Sequence, residues 1–217
     1  MGLAGDMVLL AFGARGDRLP DRQVLAPAVR GALLAELLDG GRLVDGGGAV
    51  RAAGGGAPED AALRQVWEAV AAEPGRTWLH WVRADGRASV HAVLRGLEKD
   101  GLLERGTSRV FGVFPLHRAV LTADGRTAAE GVRAAVAAVV EDPAAGGRAA
   151  LLAGLAHAGG RLGTALSAER RRALKERLAV LSEGAARCRR RCGGPCATCG
   201  APPRRRGRGA AGGVPPG

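Results

Sequence analysis

The chain has 217 residues, of which 47% are hydrophobic and 24% charged. That is enough apolar material for one buried core plus an appendage, and it excludes both wholesale disorder and a membrane-embedded chain. The net charge of +11 is unevenly spread, with +8 on residues 184–217 and +3 on the first 183, so the chain is a near-neutral body with a basic tail rather than a uniformly polyanion-coating protein.

In chain order, the first apolar stretch runs from Asp6 to Phe12 and closes at Gly13-Ala14-Arg15-Gly16-Asp17, where Arg-Gly-Asp reads as part of a turn. Met7 to Phe12 is too short to span a bilayer. Val24, Leu25, Val29, Ala32, Leu33, Leu37 and Leu38 recur at helical spacing and stop at Gly40-Gly41, which predicts a helix with a glycine C-cap. Leu43-Val44 and Ala49-Val50-Arg51 flank Asp45-Gly46-Gly47-Gly48, the pattern of two short strands around a tight turn. Pro58-Glu59-Asp60 opens a helix through Leu63, Val66, Trp67 and Val70 that stops at Pro74-Gly75. A short helix over Trp78 to Val82 and a longer one over Arg87 to Asp100 follow. Leu102 to Glu104 and Arg109 to Phe114 then predict a hairpin turning at Gly106-Thr107-Ser108. Three more helices are expected, at Arg126 to Val140, Arg148 to Ala158 and Ala168 to Ser182.

The expected fold is therefore mainly α, a compact single helical domain over residues 1–183 with small β-hairpins. Residues 184–217 read as a flexible basic tail rich in Cys, Arg, Gly and Pro. No secretory signal pattern is present, and Met1-Gly2 lacks the Ser or Thr at position six that myristoylation wants, since Asp6 stands there. The chain reads as cytoplasmic.

Polar groups suited to catalysis are scarce: four histidines, no tyrosine, and no cysteine before residue 188. The sequence has no G-x-S-x-G elbow, H-E-x-x-H pair or P-loop, and nothing selects a pair of carboxylates. An enzyme is not predicted, and no cofactor is called for. His157, in Leu155-Ala156-His157-Ala158, reads as a buried, hydrogen-bonded structural residue. Cys188, Cys192, Cys196 and Cys199 are weak metal candidates: only the last pair has zinc-ribbon spacing, and no apolar residues stand ready to pack around an ion. The helix Arg87 to Asp100, with Arg95 and Lys99, followed by a hairpin, also matches the order of a winged helix that would bind nucleic acid. Glu98, Asp100 and Glu104 on the same stretch oppose phosphates, which leaves that reading as the alternative.

Several segments taken together resemble the Golgi phosphoprotein 3 family, in the form found in actinobacteria. They are Met7 to Phe12; Val29-Arg30-Gly31-Ala32-Leu33-Leu34-Ala35-Glu36-Leu37 leading to Gly41-Arg42-Leu43; Trp81-Val82-Arg83; Leu97 to Leu103; Val110-Phe111-Gly112-Val113-Phe114-Pro115; Asp142-Pro143; and Leu151-Leu152 with Leu155 to Ala158. Their order and spacing cover residues 6–183. The resemblance implies a peripheral membrane protein that binds the headgroup of phosphatidylinositol 4-phosphate or a related anionic phospholipid; in eukaryotic relatives it acts at the Golgi as an adaptor for glycosyltransferases. It places Arg30 and Arg87 as headgroup contacts, with Val90 or His91 where a further family arginine stands. Around Asp21-Arg22-Gln23-Val24-Leu25 the family's tryptophan has no counterpart, while Val24 and Leu25 are expected to form a membrane-facing apolar loop. The hairpin Val110 to Leu121, with Phe111 and Phe114, resembles the family's oligomerisation hairpin.

Overall fold

The computed structural model describes residues 1–12, 19–110, 114–142, 147–159, 167–169, 172–173 and 175–176. By compactness the chain divides into Met1–Leu174 and Lys175–Gly217, and the first unit holds every element from α1 to α7.

Its centre is helix α1 (Leu3–Ala11), in which every residue is buried. The sequence LAGDMVLLA offers no polar face, and a helix that is apolar all round must be enclosed. Helices α2 (Arg22–Asp39), α5 (Gly86–Lys99), α6 (Ala123–Glu141) and α7 (Arg148–Ala158) enclose it. The one charge on α1, Asp6, is only 8% exposed, and the Arg148 guanidinium neutralises it: Nη2 lies 2.7 Å and Nε 2.8 Å from Asp6 Oδ2. A buried carboxylate needs such a partner, so this pair fixes α7 against the central helix.

The helix starts follow local capping chemistry. Asp21 accepts from the Gln23 amide at 2.8 Å and starts α2, which buries Leu25, Val29, Leu33 and Leu37 and runs through Pro27. Asp60 accepts from the Ala62 and Leu63 amides at the start of α3 (Ala61–Ala72), and Thr77 from His80 at the start of α4 (Trp78–Arg83). Strands β1 (Leu43–Asp45) and β2 (Val50–Ala52) pair antiparallel with Leu43 opposite Ala52, as expected from the glycine-rich turn between them. Trp78 Nε1 donates to Asp45 Oδ1 at 3.1 Å, which joins this hairpin to α4.

The second hairpin departs from expectation. Strand β3 (Leu103–Val110) pairs antiparallel with β4 (Phe114–Leu121), from Leu103 opposite Leu121 to Val110 opposite Phe114. Gly106, Thr107 and Ser108 lie inside β3, opposite Arg118, His117 and Leu116, rather than at a turn. A glycine beside two hydroxyl residues carries turn chemistry, but threonine also suits a strand and a two-stranded ribbon accommodates the set. Phe114 is the first residue of β4, and Phe111, the other residue expected on the oligomerisation hairpin, falls outside the described residues. The expected helix Ala168 to Ser182 is described only at six positions, helical at 168–169, 172–173 and 175–176, and the four cysteines fall outside the described residues. His157 is half-buried in the last turn of α7 and not in the core as expected.

Close packing between α6 and the start of β3 depends on one missing side chain. A Cβ at Gly125 would overlap the Leu102 carbonyl oxygen and lie 3.2 Å from Leu121 Cδ2. Gly131, two turns along the same helix, faces open space. We predict that Gly125→Ala lowers stability by about 1–3 kcal/mol through overpacking. Gly131→Ala is expected to be neutral or to raise stability by roughly 0.5–1 kcal/mol from helix propensity. Urea midpoints of the two variants measure the difference; equal midpoints contradict the packing.

Candidate functional site

Three helices converge on one arginine. Arg30, on the inner face of α2, is 0% exposed. Its Nε donates to the Trp81 carbonyl of α4 at 2.9 Å, and its Nη1 donates to Ser89 Oγ of α5 at 2.9 Å. Helix α4 has only six residues, so its final carbonyls lack intrahelical partners, and the guanidinium satisfies one of them. Ser89 is likewise 0% exposed and depends on Arg30 for a partner. Burial pushes the Arg30 guanidinium below its ordinary value, and the Asp85 carboxylate opposes that shift. A guanidinium stays protonated regardless, so the cluster holds a permanent buried cation. One donor, Nη2, has no hydrogen-bond partner, and nor does the indole Nε1 of Trp81.

Above this cluster the two long helices present their N-terminal ends together. Ala26 meets Gly86, where a Cβ would lie 2.6 Å from Ala26 Cβ, and one turn further on Arg30 meets Ser89. α2 and α5 therefore run in the same direction, and the positive ends of their dipoles face the same way. α5 starts at Asp85, a left-handed residue at φ 44° whose side chain caps no amide, so its first-turn N–H groups have no side-chain acceptor. Arg83, at the end of α4, and Arg87, in the first turn of α5, are exposed and have no hydrogen-bond or ion-pair partner among the described residues. Arg22, the first residue of α2, reaches across so that its Nη1 lies 2.9 Å from His91 Nε2. Asp21 and Asp85 reduce this charge without cancelling it: four arginines stand against two carboxylates.

Such an arrangement suits an anion. Exposed guanidinium forks beside a helix start without a side-chain cap, here that of α5, are groups that bind phosphate oxygens. The other concavities differ in chemistry. A cavity of about 310 Å³ between α1, α2, α3 and α5 has Glu36, Asp60 and Asp100 on its wall and no arginine or lysine, so it repels phosphate. A shallow hollow of about 410 Å³ over α4 is bounded by Leu79, His80 and Arg83 and carries no carboxylate. Among the described residues no cluster of three or more His, Cys, Asp or Glu side chains forms a metal site.

The residues expected from the sequence occupy different levels. Arg87 and His91 lie exposed on one face of α5, at i and i+4. Arg30 lies beneath them, buried and committed to Trp81 and Ser89. Val24 is 50% exposed, but Leu25 is 0% exposed and belongs to the core. The pair sits on the first turn of α2 and not on a loop, because Asp21 caps the helix three residues before the apolar pattern begins. Arg22 and Arg83 were missed as site residues; the signal for Arg22 was the aspartate before it, which marks a helix start.

Because Arg30 is structural as well as central, its removal acts first on folding. Arg30→Ala leaves a hole, an unpaired Trp81 carbonyl and an unpaired Ser89 hydroxyl, and is predicted to cost about 3 kcal/mol. Arg30→Met fills the volume but leaves the same two acceptors unpaired, and is predicted to cost less than Arg30→Ala by about the cavity share, roughly 1 kcal/mol. Chemical denaturation reads both; an unchanged midpoint for Arg30→Ala contradicts the clamp.

The sequence also matches the family model described as Golgi phosphoprotein 3 (GPP34) over residues 3–191, a span that takes in every element from α1 to α7. The match runs eight residues past the limit of 183 that the motif resemblance reached. No curated protein matches the chain significantly. A mainly helical body with two antiparallel hairpins, matched over nearly its whole length, makes this chain a member of the Golgi phosphoprotein 3 family.

Proposed function

We propose that the protein is a peripheral membrane protein that binds an anionic phospholipid headgroup bearing a phosphate monoester, as in phosphatidylinositol 4-phosphate, at the joined N-terminal ends of α2 and α5. The observation that carries this reading is the set of exposed arginines, Arg22, Arg83 and Arg87, none paired with a carboxylate among the described residues, around an uncapped helix start. A phosphate monoester presents several anionic oxygens, and guanidinium forks meet them bidentately. The buried Arg30 adds its field from below, since a cation out of water acts over a longer range than one at the surface.

Membrane contact is supplied by the same end of the molecule. Val24, 50% exposed on the first turn of α2, offers an apolar contact beside the arginines. No helix of the described residues is long and apolar enough to cross a membrane. The eight arginines in residues 184–217 add attraction to an anionic surface, worth up to about 1 kcal/mol per charge and lost with salt. Family membership supports an adaptor role on the cytoplasmic face, with the β3–β4 hairpin as the place for self-association.

The nucleic-acid reading has less behind it. Arg95 and Lys99 are exposed on α5, but Glu98 and Asp100 share that half of the helix, and the acidic cavity opens beside it.

Vesicle flotation of the full chain tests the proposal. Binding to vesicles containing phosphatidylinositol 4-phosphate is expected to exceed binding to phosphatidylserine vesicles of equal surface charge. The excess should persist at an ionic strength of about 1 M, where the Debye length shrinks to about 3 Å and tail attraction fades. Arg87→Ala is expected to reduce the excess about tenfold, as loss of one charge-assisted contact implies. Equal binding to both vesicles, or binding to duplex DNA that Arg95→Ala abolishes, sinks the reading.

A further inference from the structure

Arg22 is not among the headgroup contacts that the resemblance implies, yet the fold brings it to their side. It is the first residue of α2 and sits 69 positions from His91 in sequence, with its Nη1 2.9 Å from the imidazole Nε2. A guanidinium has donors only, so Nε2 accepts, and the ring proton lies on Nδ1. The contact is exposed and therefore adds little to stability. Its consequence is placement: it fixes the far end of a long, rotamer-rich side chain.

That placement is specific. Arg87 and His91 are four residues apart on α5, hence neighbours on one helix face. A guanidinium held on His91 therefore stands within a turn of Arg87 and of the uncapped amides at the start of α5. Elsewhere on the molecule arginines are held by protein oxygens: Arg64 by the carbonyls of Pro58 and Glu59, Arg76 by Glu73, and Arg148 by Asp6. Arg22 is held instead by a neutral nitrogen, which orients the cation while leaving its charge and its remaining donors for another acceptor. Asp21, its neighbour, has Oδ1 engaged with the Gln23 amide.

We infer that Arg22 is a direct contact to the phosphate monoester of the lipid headgroup, brought over Arg87 from a second helix, and that His91 acts as its positioning residue instead of touching the lipid. The inference rests on the headgroup reading above. It explains how a site with Val90, an apolar residue, at its inner position still closes on a phosphate: the second fork comes from α2.

The test uses the full chain, with vesicles of phosphatidylcholine carrying either phosphatidylinositol 4-phosphate or phosphatidylserine, and the soluble glycerophosphoinositol 4-phosphate as the lipid-free source of the same phosphate. Arg22→Ala should weaken binding to the phosphoinositide vesicles about tenfold, matching Arg87→Ala, with no change in melting temperature. Arg22→Lys should recover only part, because it restores the charge without the fork. His91→Leu should weaken binding roughly threefold to fivefold, while His91→Gln, whose amide oxygen accepts from Arg22, should stay close to wild type. The soluble headgroup should bind more weakly than the vesicles and show the same order among variants, as expected when the bilayer adds contacts.

If Arg22→Ala binds like wild type while Arg87→Ala does not, Arg22 is no contact and the headgroup reading survives without it. If His91→Gln falls as far as His91→Leu, the positioning role is wrong. If soluble headgroup binds and vesicles do not, the ligand is a free phosphate ester and not a lipid. If wild type makes no distinction between the two vesicles, the headgroup reading fails and this inference fails with it.

Discussion

A buried cation organises this molecule. Arg30 is fully enclosed, and a guanidinium taken out of water costs several kcal/mol unless its donors find acceptors. Two of its nitrogens do so on different helices, one on the Trp81 carbonyl and one on Ser89 Oγ. Both acceptors would themselves be orphaned without it, because α4 is too short to satisfy its own last carbonyls and Ser89 is buried. Each group thus offsets the desolvation of the others, and the geometry of α2, α4 and α5 is specified by a polar cluster instead of by apolar fit alone. Gly86 makes the arrangement possible, since any side chain there meets Ala26 and moves α5 away from the arginine.

The parallel direction of α2 and α5 follows from that clamp, and it gives the bundle a polarity. At one end two helix starts add their positive ends to Arg22, Arg83 and Arg87. Toward the other, Glu36, Asp60 and Asp100 line a cavity with no basic residue on its wall. Glu36 is not idle there, since it accepts from the Leu3 amide at 2.8 Å and so caps the central helix, whose own N-cap Gly2 offers no side chain. The acidic wall is local, since Arg95 and Lys99 are exposed on the same half of α5. What sets the other end apart is that Arg22, Arg83 and Arg87 have no carboxylate partner among the described residues.

Much of the fold was legible because its helices are amphipathic. The i, i+3, i+4 spacing over Val24 to Leu38 and the glycine pair after it located α2, and α7 lies over Arg148 to Ala158 as expected. Helix α1 gave no such signal, since a segment buried on all sides has no periodicity to read. Gly106-Thr107-Ser108 was misplaced because short hydroxyl residues occur in turns and strands alike. The site was harder for a different reason. An arginine among leucines on a helix looks the same whether it faces water or a cluster of orphaned acceptors; what decided Arg30 was the shortness of α4, more than fifty residues away. Leu25 was misjudged through the same gap, because its neighbour Val24 points outward and only the true helix start, Asp21, sets which of the two is buried.

The two arginines that resemblance singled out consequently do different work. Arg87 sits at the surface, where the proposed ligand would meet it, and its loss leaves the core untouched. Arg30 sits below, where it decides whether the surface exists, so any effect of its removal on ligand binding passes through the placement of α5. Position in a family motif does not separate these roles, since a residue that builds a site and one that touches the ligand are equally tied to it. Burial and hydrogen bonding separate them. The same criterion is what proposes Arg22 for the site: an exposed cation held by an imidazole nitrogen has its charge left over, and it lies at the end of the helix pair that Arg30 assembles.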